Sequence, residues 1–256
     1  MNTKQQNYRA AFSSDWSECL SPNGPFDPLS FNFPDLEPAL ARIFRDYTGN
    51  TITLRHAVGL ITDLMTQPLT VELMDAYLDA AFQTYTGVSE LIERCLSQGI
   101  LFMINTTGTQ AYFQRAMAKG LIPEVPVVAA NPVIRFPLPT DGNRYIHEVL
   151  EIEDKPKNTE AVLREWRLSP EKLVVMGDSG GDGPHFKWAA QSGAYLVGSM
   201  TKQSLATYCD NNGITIHTFF GLTYGPGESR NLDREMNVNF ADLIDLVEER
   251  FRLNVG

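Results

Sequence analysis

The sequence predicts an α/β fold built on a parallel sheet, with a block of helices inserted after the first strand. Three observations carry this. Short apolar runs at 100–104, 125–130, 173–176, 194–197 and 214–220 recur with helical segments between most of them, as parallel strands joined by crossover helices do. Residues 35–85 show only the period of amphipathic helices. The run Leu173–Met176 passes straight into Gly177-Asp178-Ser179-Gly180-Gly181-Asp182, a glycine-rich acidic tip of the kind at which ligands of parallel sheets collect.

The first strand is brief: Ala10-Ala11-Phe12, within Tyr8–Ser14, ends at Asp15. Cys19–Pro34 is rich in Ser, Pro, Gly and Asn and reads as an exit loop. Asp35–Thr48 forms a helix with Leu36, Leu40, Ile43 and Phe44 on one side. Leu54, Val58, Ile61 and Met65 mark a second helix, and Met74, Leu78, Ala81 and Tyr85 a third. Thr51 and Thr70 stand where N-caps are expected, and Gly49-Asn50 punctuates the first junction. After Gly87 a helix carrying Val88, Leu91, Ile92 and Cys95 leads into the run Ile100–Ile104. Val133–Phe136 and Tyr145–Ile152 flank a Pro/Gly/Asp turn, so Asn131–Glu153 reads as a hairpin extension whose edge leaves a homodimer open. A final helix over Asn239–Arg252 turns Phe240, Leu243, Val247 and Phe251 toward the sheet. There is no internal repeat and no low-complexity tract.

With 256 residues and 43% hydrophobic composition, the chain can bury a full core with room for an inserted unit. Lys plus Arg number 21 against 31 Asp plus Glu, for a net charge of −10 and a pI near 4.9. That balance disfavours a nucleic-acid or anionic-membrane binder. Cys19, Cys95 and Cys209 are an odd number without framework spacing, so reduced thiols and a cytoplasmic setting are expected. Met1–Arg9 is polar and lacks an apolar h-region, and no apolar run approaches bilayer length.

Asp178 and Asp182 suit Mg²⁺, which takes oxygen ligands and usually one or two carboxylates with waters and a substrate phosphate. Gly-Asp turns also close many loops that hold no metal. Three further segments stand with this tip in chain order: Asp15-Trp16-Ser17-Glu18-Cys19, Asn105-Thr106-Thr107-Gly108 and Lys155-Pro156-Lys157, all read as strand ends. The set resembles the four motifs of the haloacid-dehalogenase-like (HAD) superfamily, namely an Asp-first loop, a strand-end Ser/Thr, a Lys and an acidic loop. The helical block between the first two motifs is similar to the cap of its phosphoserine-phosphatase-like branch.

The resemblance implies a Rossmann-like three-layer core, residues 1–20 and 88–256, with an all-helical cap at 21–87. It implies a Mg²⁺-dependent phosphatase acting on a small phosphorylated metabolite through an aspartyl-phosphate on Asp15, since a carboxylate can attack phosphorus and split one hard displacement into two. Mg²⁺ would be held by Asp15, Asp178 and the backbone carbonyl of Ser17, with Asp182 bound directly or just behind. Thr106, with backbone N–H groups around Thr107 and Gly108, would bind phosphate oxygens, and Lys155 would neutralise phosphate and nucleophile. Counting from Gly99 favours Thr106 as the motif hydroxyl, whereas aligning Gly108 and Tyr112-Phe113 favours Thr107. Lys155 fits the Lys-Pro arrangement, and Lys157 is the alternative.

The chief departure is Ser17, where family phosphatases usually carry a second Asp that protonates the leaving group. An unperturbed hydroxyl is neither a useful acid nor base near neutral pH. Glu18 is the nearest carboxylate, but strand-like alternation points it away from Ser17's side. Two other readings follow: a phospho-ligand-binding regulatory protein that lost turnover, and a dehalogenase-like attack on carbon, which Asp178 and Asp182 weaken because that chemistry needs no Mg²⁺. His185, after Gly183-Pro184, reads as a helix-face residue, and His56, His147 and His217 have no zinc-type spacing. Arg42, Arg45 and Arg55 on the cap helices are candidates for the substrate's distal group, and Phe26, Phe31 and Phe33 for packing at the cap hinge.

Overall fold

The computed structural model describes residues 7–49, 51–131 and 149–252. Among the described residues six strands form one parallel sheet in the order β3-β2-β1-β4-β5-β6: β1 Ala10–Ser14, β2 Ile100–Thr109, β3 Val127–Asn131, β4 Leu173–Gly177, β5 Tyr195–Thr201 and β6 Thr218–Thr223. β1 is central because Ala10 to Ser14 are all buried and small enough, Phe12 apart, to be covered on both faces.

Alternation along the strands splits the core in two. Phe12, Phe102, Ile104, Val174 and Met176 face one layer, where Phe12 and Phe102 stack at 5.3 Å. Ala11, Leu101, Met103, Val175 and Leu196 face the other. Helices α5 (Val88–Ser97) and α11 (Leu243–Arg252) contribute Leu91, Ile92, Cys95, Val247 and Phe251 to the first core. Helices α7 (Lys155–Trp166), α8 (Gly183–Gln191) and α9 (Gln203–Asn212) supply Leu163, Phe186, Ala189 and Leu205 to the second. Between β2 and β3 lies α6 (Gln110–Ala118), and a short α10 (Leu232–Glu235) follows β6.

Four helices stand between β1 and α5: α1 (Asp27–Asn32), α2 (Glu37–Thr48), α3 (Leu54–Leu64) and α4 (Val71–Ala81). Two ion pairs tie α4 to α6: Arg115 with Asp75, bidentate at 2.7 and 2.5 Å, and Lys119 with Asp79 at 2.8 Å. Glu151 reaches from the segment before α7 and accepts from the N–H groups of Leu54 and Arg55, at 2.8 and 2.9 Å, capping α3 across the cleft.

The sequence reading needs several corrections. The exit loop contains α1, whose single turn and a half buries Pro28 and Leu29 and is too short to show a period. Thr53, not Thr51, caps α3 by accepting from His56 N–H, whereas Thr70 caps α4 as expected. Tyr85 lies beyond α4, which ends at Ala81, and its hydroxyl donates to Glu235. The 214–220 run becomes strand only from Thr218, because Ile214 N–H closes the end of α9 on Cys209. Lys155 is the first residue of α7 and follows a 3₁₀ turn, so it is not at a strand end. Most of the expected hairpin extension, with His147, falls at 132–148, outside the described residues, and Ile152 begins the 3₁₀ turn. Cys19, Cys95 and Cys209 are free and buried. Among the described residues no helix is long and apolar enough to cross a membrane.

Candidate active site

Parallel strands present their C-terminal ends on one side of the sheet. The adjacent strands β1 and β4 therefore deliver Asp15 and Asp178 to the same spot, and Asp15 N–H extends their pairing by donating to Met176 O at 3.0 Å. Alternation then buries Trp16, whose ring meets Phe113 edge-on at 5.5 Å, and leaves Ser17 on the cleft. The cleft, about 520 Å³ including its open mouth, is lined by Asp15, Ser17, Glu18, Thr106, Thr107, Lys155, Asp178 and Lys202 from the core, and by Phe44, Tyr47 and Thr48 from α2.

Asp15, Asp178 and Asp182 offer oxygens within 4.8 Å of one another. They are held differently. Asp182 Oδ2 accepts from the N–H groups of Asp178 and Ser179, at 2.9 and 3.3 Å, and its Oδ1 takes Lys155 Nζ at 2.6 Å. Gly177 makes that fold-back possible, since a Cβ there would lie 2.5 Å from the Asp182 side chain. Burial pushes the Asp182 carboxyl up, but the Lys155 charge and these bonds outweigh it and hold the group below the usual carboxylate range. Asp178 is as deeply buried, yet neither of its oxygens accepts a well-directed hydrogen bond, although Lys202 Nζ lies 2.6 Å from Oδ2. Burial pushes the Asp178 carboxyl up to about 8, against the pull of Lys202. Asp15 is raised by burial too, against Lys155, whose Nζ sits 3.3 Å from an Oδ1 that likewise lacks a hydrogen bond. Buried oxygens on Asp15 and Asp178 that accept no directed hydrogen bond and are countered only by the Lys155 and Lys202 ammonium groups form, beside one another, a donor set that fits a hard divalent cation.

Lys155 is 3% exposed, and its two carboxylates raise its pKa although burial opposes them. Lys157 points outward, 74% exposed, to Asp154. Both threonines of the second segment line the cleft. Thr106 Oγ1 accepts from Gly108 N–H at 3.2 Å, and Thr107 Oγ1 bonds the Tyr47 hydroxyl at 3.0 Å, joining core to α2.

Glu18 differs from expectation. Its backbone turns into the left-handed region at φ 59° instead of continuing the strand, so its carboxylate reaches the cleft wall. There it pairs with Lys202 and with Arg230 Nη1, the latter at 2.6 Å. His185 is buried off the cleft, its Nε2 2.9 Å from Thr159 Oγ1, and burial lowers its pKa to about 3. Arg42, Arg45 and Arg55 are exposed and do not line the cleft. Phe26 packs edge-on against Phe44 at 5.8 Å, whereas Phe31 is exposed against Tyr77. The sequence reading missed Lys202, Arg230, Tyr47 and Glu151; only Lys202 carried a signal, as a cation immediately after a strand.

No protein-family profile and no curated relative matches the sequence. Solved structures do match. A substrate-bound phosphoserine phosphatase complex is 13% identical with a TM-score of 0.65, over 93% of this chain and 98% of that one. A phospho-aspartyl intermediate analogue of phosphoserine phosphatase is 12% identical at 0.63, over 93% and 99%. A HAD family hydrolase from Salmonella enterica subsp. enterica serovar Typhi is 12% identical at 0.66, over 96% of this chain and 74% of that one. With its parallel sheet and the helices inserted after β1, the chain has the HAD-like fold of the phosphoserine-phosphatase type.

Proposed function

We propose that this protein is a phosphoric monoester hydrolase that transfers the phosphoryl group of a small metabolite to Asp15 and then to water. The observation that carries the reading is a nucleophile-capable carboxylate at the cleft floor, 3.3 Å from a buried lysine and beside an Asp178 whose oxygens lack hydrogen bonds. An Asp15 oxygen attacks phosphorus, the bond to the leaving oxygen breaks with its electron pair, and water later cleaves the acyl phosphate. The Thr106 hydroxyl and the backbone N–H groups near Gly108 donate to phosphate oxygens, and Lys155 offsets the charge that gathers between phosphate and Asp15. Residues 21–87 act as the cap, with Tyr47 and Phe44 facing the substrate.

The cation is Mg²⁺ in this reading, held by Asp15, Asp178 and the Ser17 carbonyl, with Asp182 fixing the loop from behind. It supplies the positive charge that lets an anionic carboxylate approach an anionic phosphate. Ser17 cannot protonate a leaving group, and both Glu18 oxygens are already taken by Lys202 and Arg230. Substrates with good leaving groups, such as acyl or enol phosphates, therefore suit the site better than alkyl esters. The buried free cysteines support a reducing, cytoplasmic setting.

The occupied Glu18 and the missing acid also favour a second reading, a phospho-ligand-binding protein with little turnover. Assaying a panel of phosphorylated metabolites with Mg²⁺, with EDTA and with Asp15→Asn separates the two. Phosphate release that needs Mg²⁺ and disappears in Asp15→Asn supports the enzyme. Tight binding without release supports the regulator, and recovery of release in Ser17→Asp would place the defect at that position.

A further inference from the structure

We infer that Lys202 is an internal counter-ion that competes with a divalent cation for Asp178, and that Glu18 holds the Lys202 ammonium once Asp178 is released. This rests on the proposed cation site. Lys202 follows β5, and its own N–H donates to Asp178 O at 2.8 Å, which fixes its Cα beside the acidic loop. Its flexible stem carries Nζ to 2.6 Å from Asp178 Oδ2 and at the same time to Glu18. A cation using Asp178 Oδ2 competes with that ammonium, because two like charges at contact distance on one carboxylate oxygen repel each other strongly.

Glu18 makes the displacement feasible. A released ammonium this enclosed is costly unless it stays paired. The left-handed backbone at Glu18 places a second carboxylate already in contact with Lys202. Arg230 is bound to Glu18 and Glu235 together and keeps the Glu18 carboxylate in place. In this linked set the carboxylates of Asp15, Glu18, Asp178, Asp182 and Glu235 face Lys155, Lys202 and Arg230. With all five carboxylates ionised two negative charges remain, the charge of one divalent ion. Lys202 thus keeps the buried carboxylates together without metal and sets how tightly metal binds.

Calorimetric titration of EDTA-stripped full-length protein with MgCl₂ tests this in wild type, Lys202→Met, Glu18→Gln and the double variant. Lys202→Met should bind about tenfold tighter while melting at a lower temperature without metal. Glu18→Gln should weaken binding about threefold in the wild-type background, because Lys202 is left with Asp178 alone, and should have little effect beside Lys202→Met. Metal binding to wild type with no gain in Lys202→Met overturns the proposal and leaves the cation site standing, as does an equal Glu18→Gln penalty in both backgrounds. Binding by none of the four overturns both. Lys202→Gln, with the same expected gain, replaces Lys202→Met should that variant not fold, and Lys202→Arg should bind no tighter than wild type.

Discussion

The two loops that meet in the cleft, one after β1 and one after β4, hold their carboxylates in different ways. The β4 loop closes on itself: Asp182 binds N–H groups three and four residues back, over a glycine that leaves it room. The β1 loop also closes its backbone locally, with the N–H groups of Cys19, Leu20 and Ser21 donating to Trp16 O, but its Glu18 carboxylate is held from far away, by Lys202 and Arg230, 184 and 212 residues along the chain. The same contrast runs within the β4 loop. Asp182 is saturated with donors and held low, whereas Asp178 is buried with only the Lys202 ammonium against it and pushed high. A saturated carboxylate is scaffold, and an unsatisfied one beside a nucleophile is a ligand in waiting.

Substitutions that break the self-closed loop should cost most. Asp182→Asn leaves Lys155 with Asp15 alone and weakens the fold-back, so it is expected to lower stability by about 3 kcal/mol, read by urea unfolding. Gly177→Ala drives a methyl into the Asp182 side chain and should cost about 2 kcal/mol in the same assay. An Ala variant as stable as wild type would show that the fold-back is not close-packed.

The pH response should separate the two aspartates in EDTA-stripped protein. Asp178, raised to about 8 when folded, binds a proton more readily folded than unfolded, so its contribution is present at low pH and is lost as pH rises from its unfolded value toward 8. Asp182, held low, contributes above its unfolded value and loses that as pH falls through its folded one. Stability should fall by about 2 kcal/mol between about pH 6 and pH 8, and Asp178→Asn should flatten that slope. Smallest of all, Glu151→Gln removes the charge that caps α3 across the cleft and should cost under about 1 kcal/mol. Its clearer sign should be faster proteolysis of the α1–α4 block.

This contrast also explains what the sequence could reveal. Asp178 and Asp182 were legible because their loop is local: a strand, glycines and two carboxylates lie in one run. The parallel sheet and the helical insertion were legible from periodicity, which short-range burial imposes. Strand-like alternation misplaces Glu18 because the chain leaves the strand in a left-handed turn there, and no spacing relates it to the Lys202 and Arg230 that hold its carboxylate. α1 was hidden because six residues make too little of a period, and Lys155 was placed on a strand end because a buried lysine opening a helix has no local signature. Order of motifs along the chain succeeded where local geometry failed.

In the proposed reaction Asp15 accepts the phosphoryl group. Acid-quenching the Ser17→Asp and wild-type proteins during turnover of acetyl phosphate, and mapping the digest by mass, tests it directly. One added phosphoryl group is expected on the peptide bearing Asp15, labile to hydroxylamine and absent from Asp15→Asn. Phosphate release with the group on another residue, or undiminished in Asp15→Asn, would contradict it.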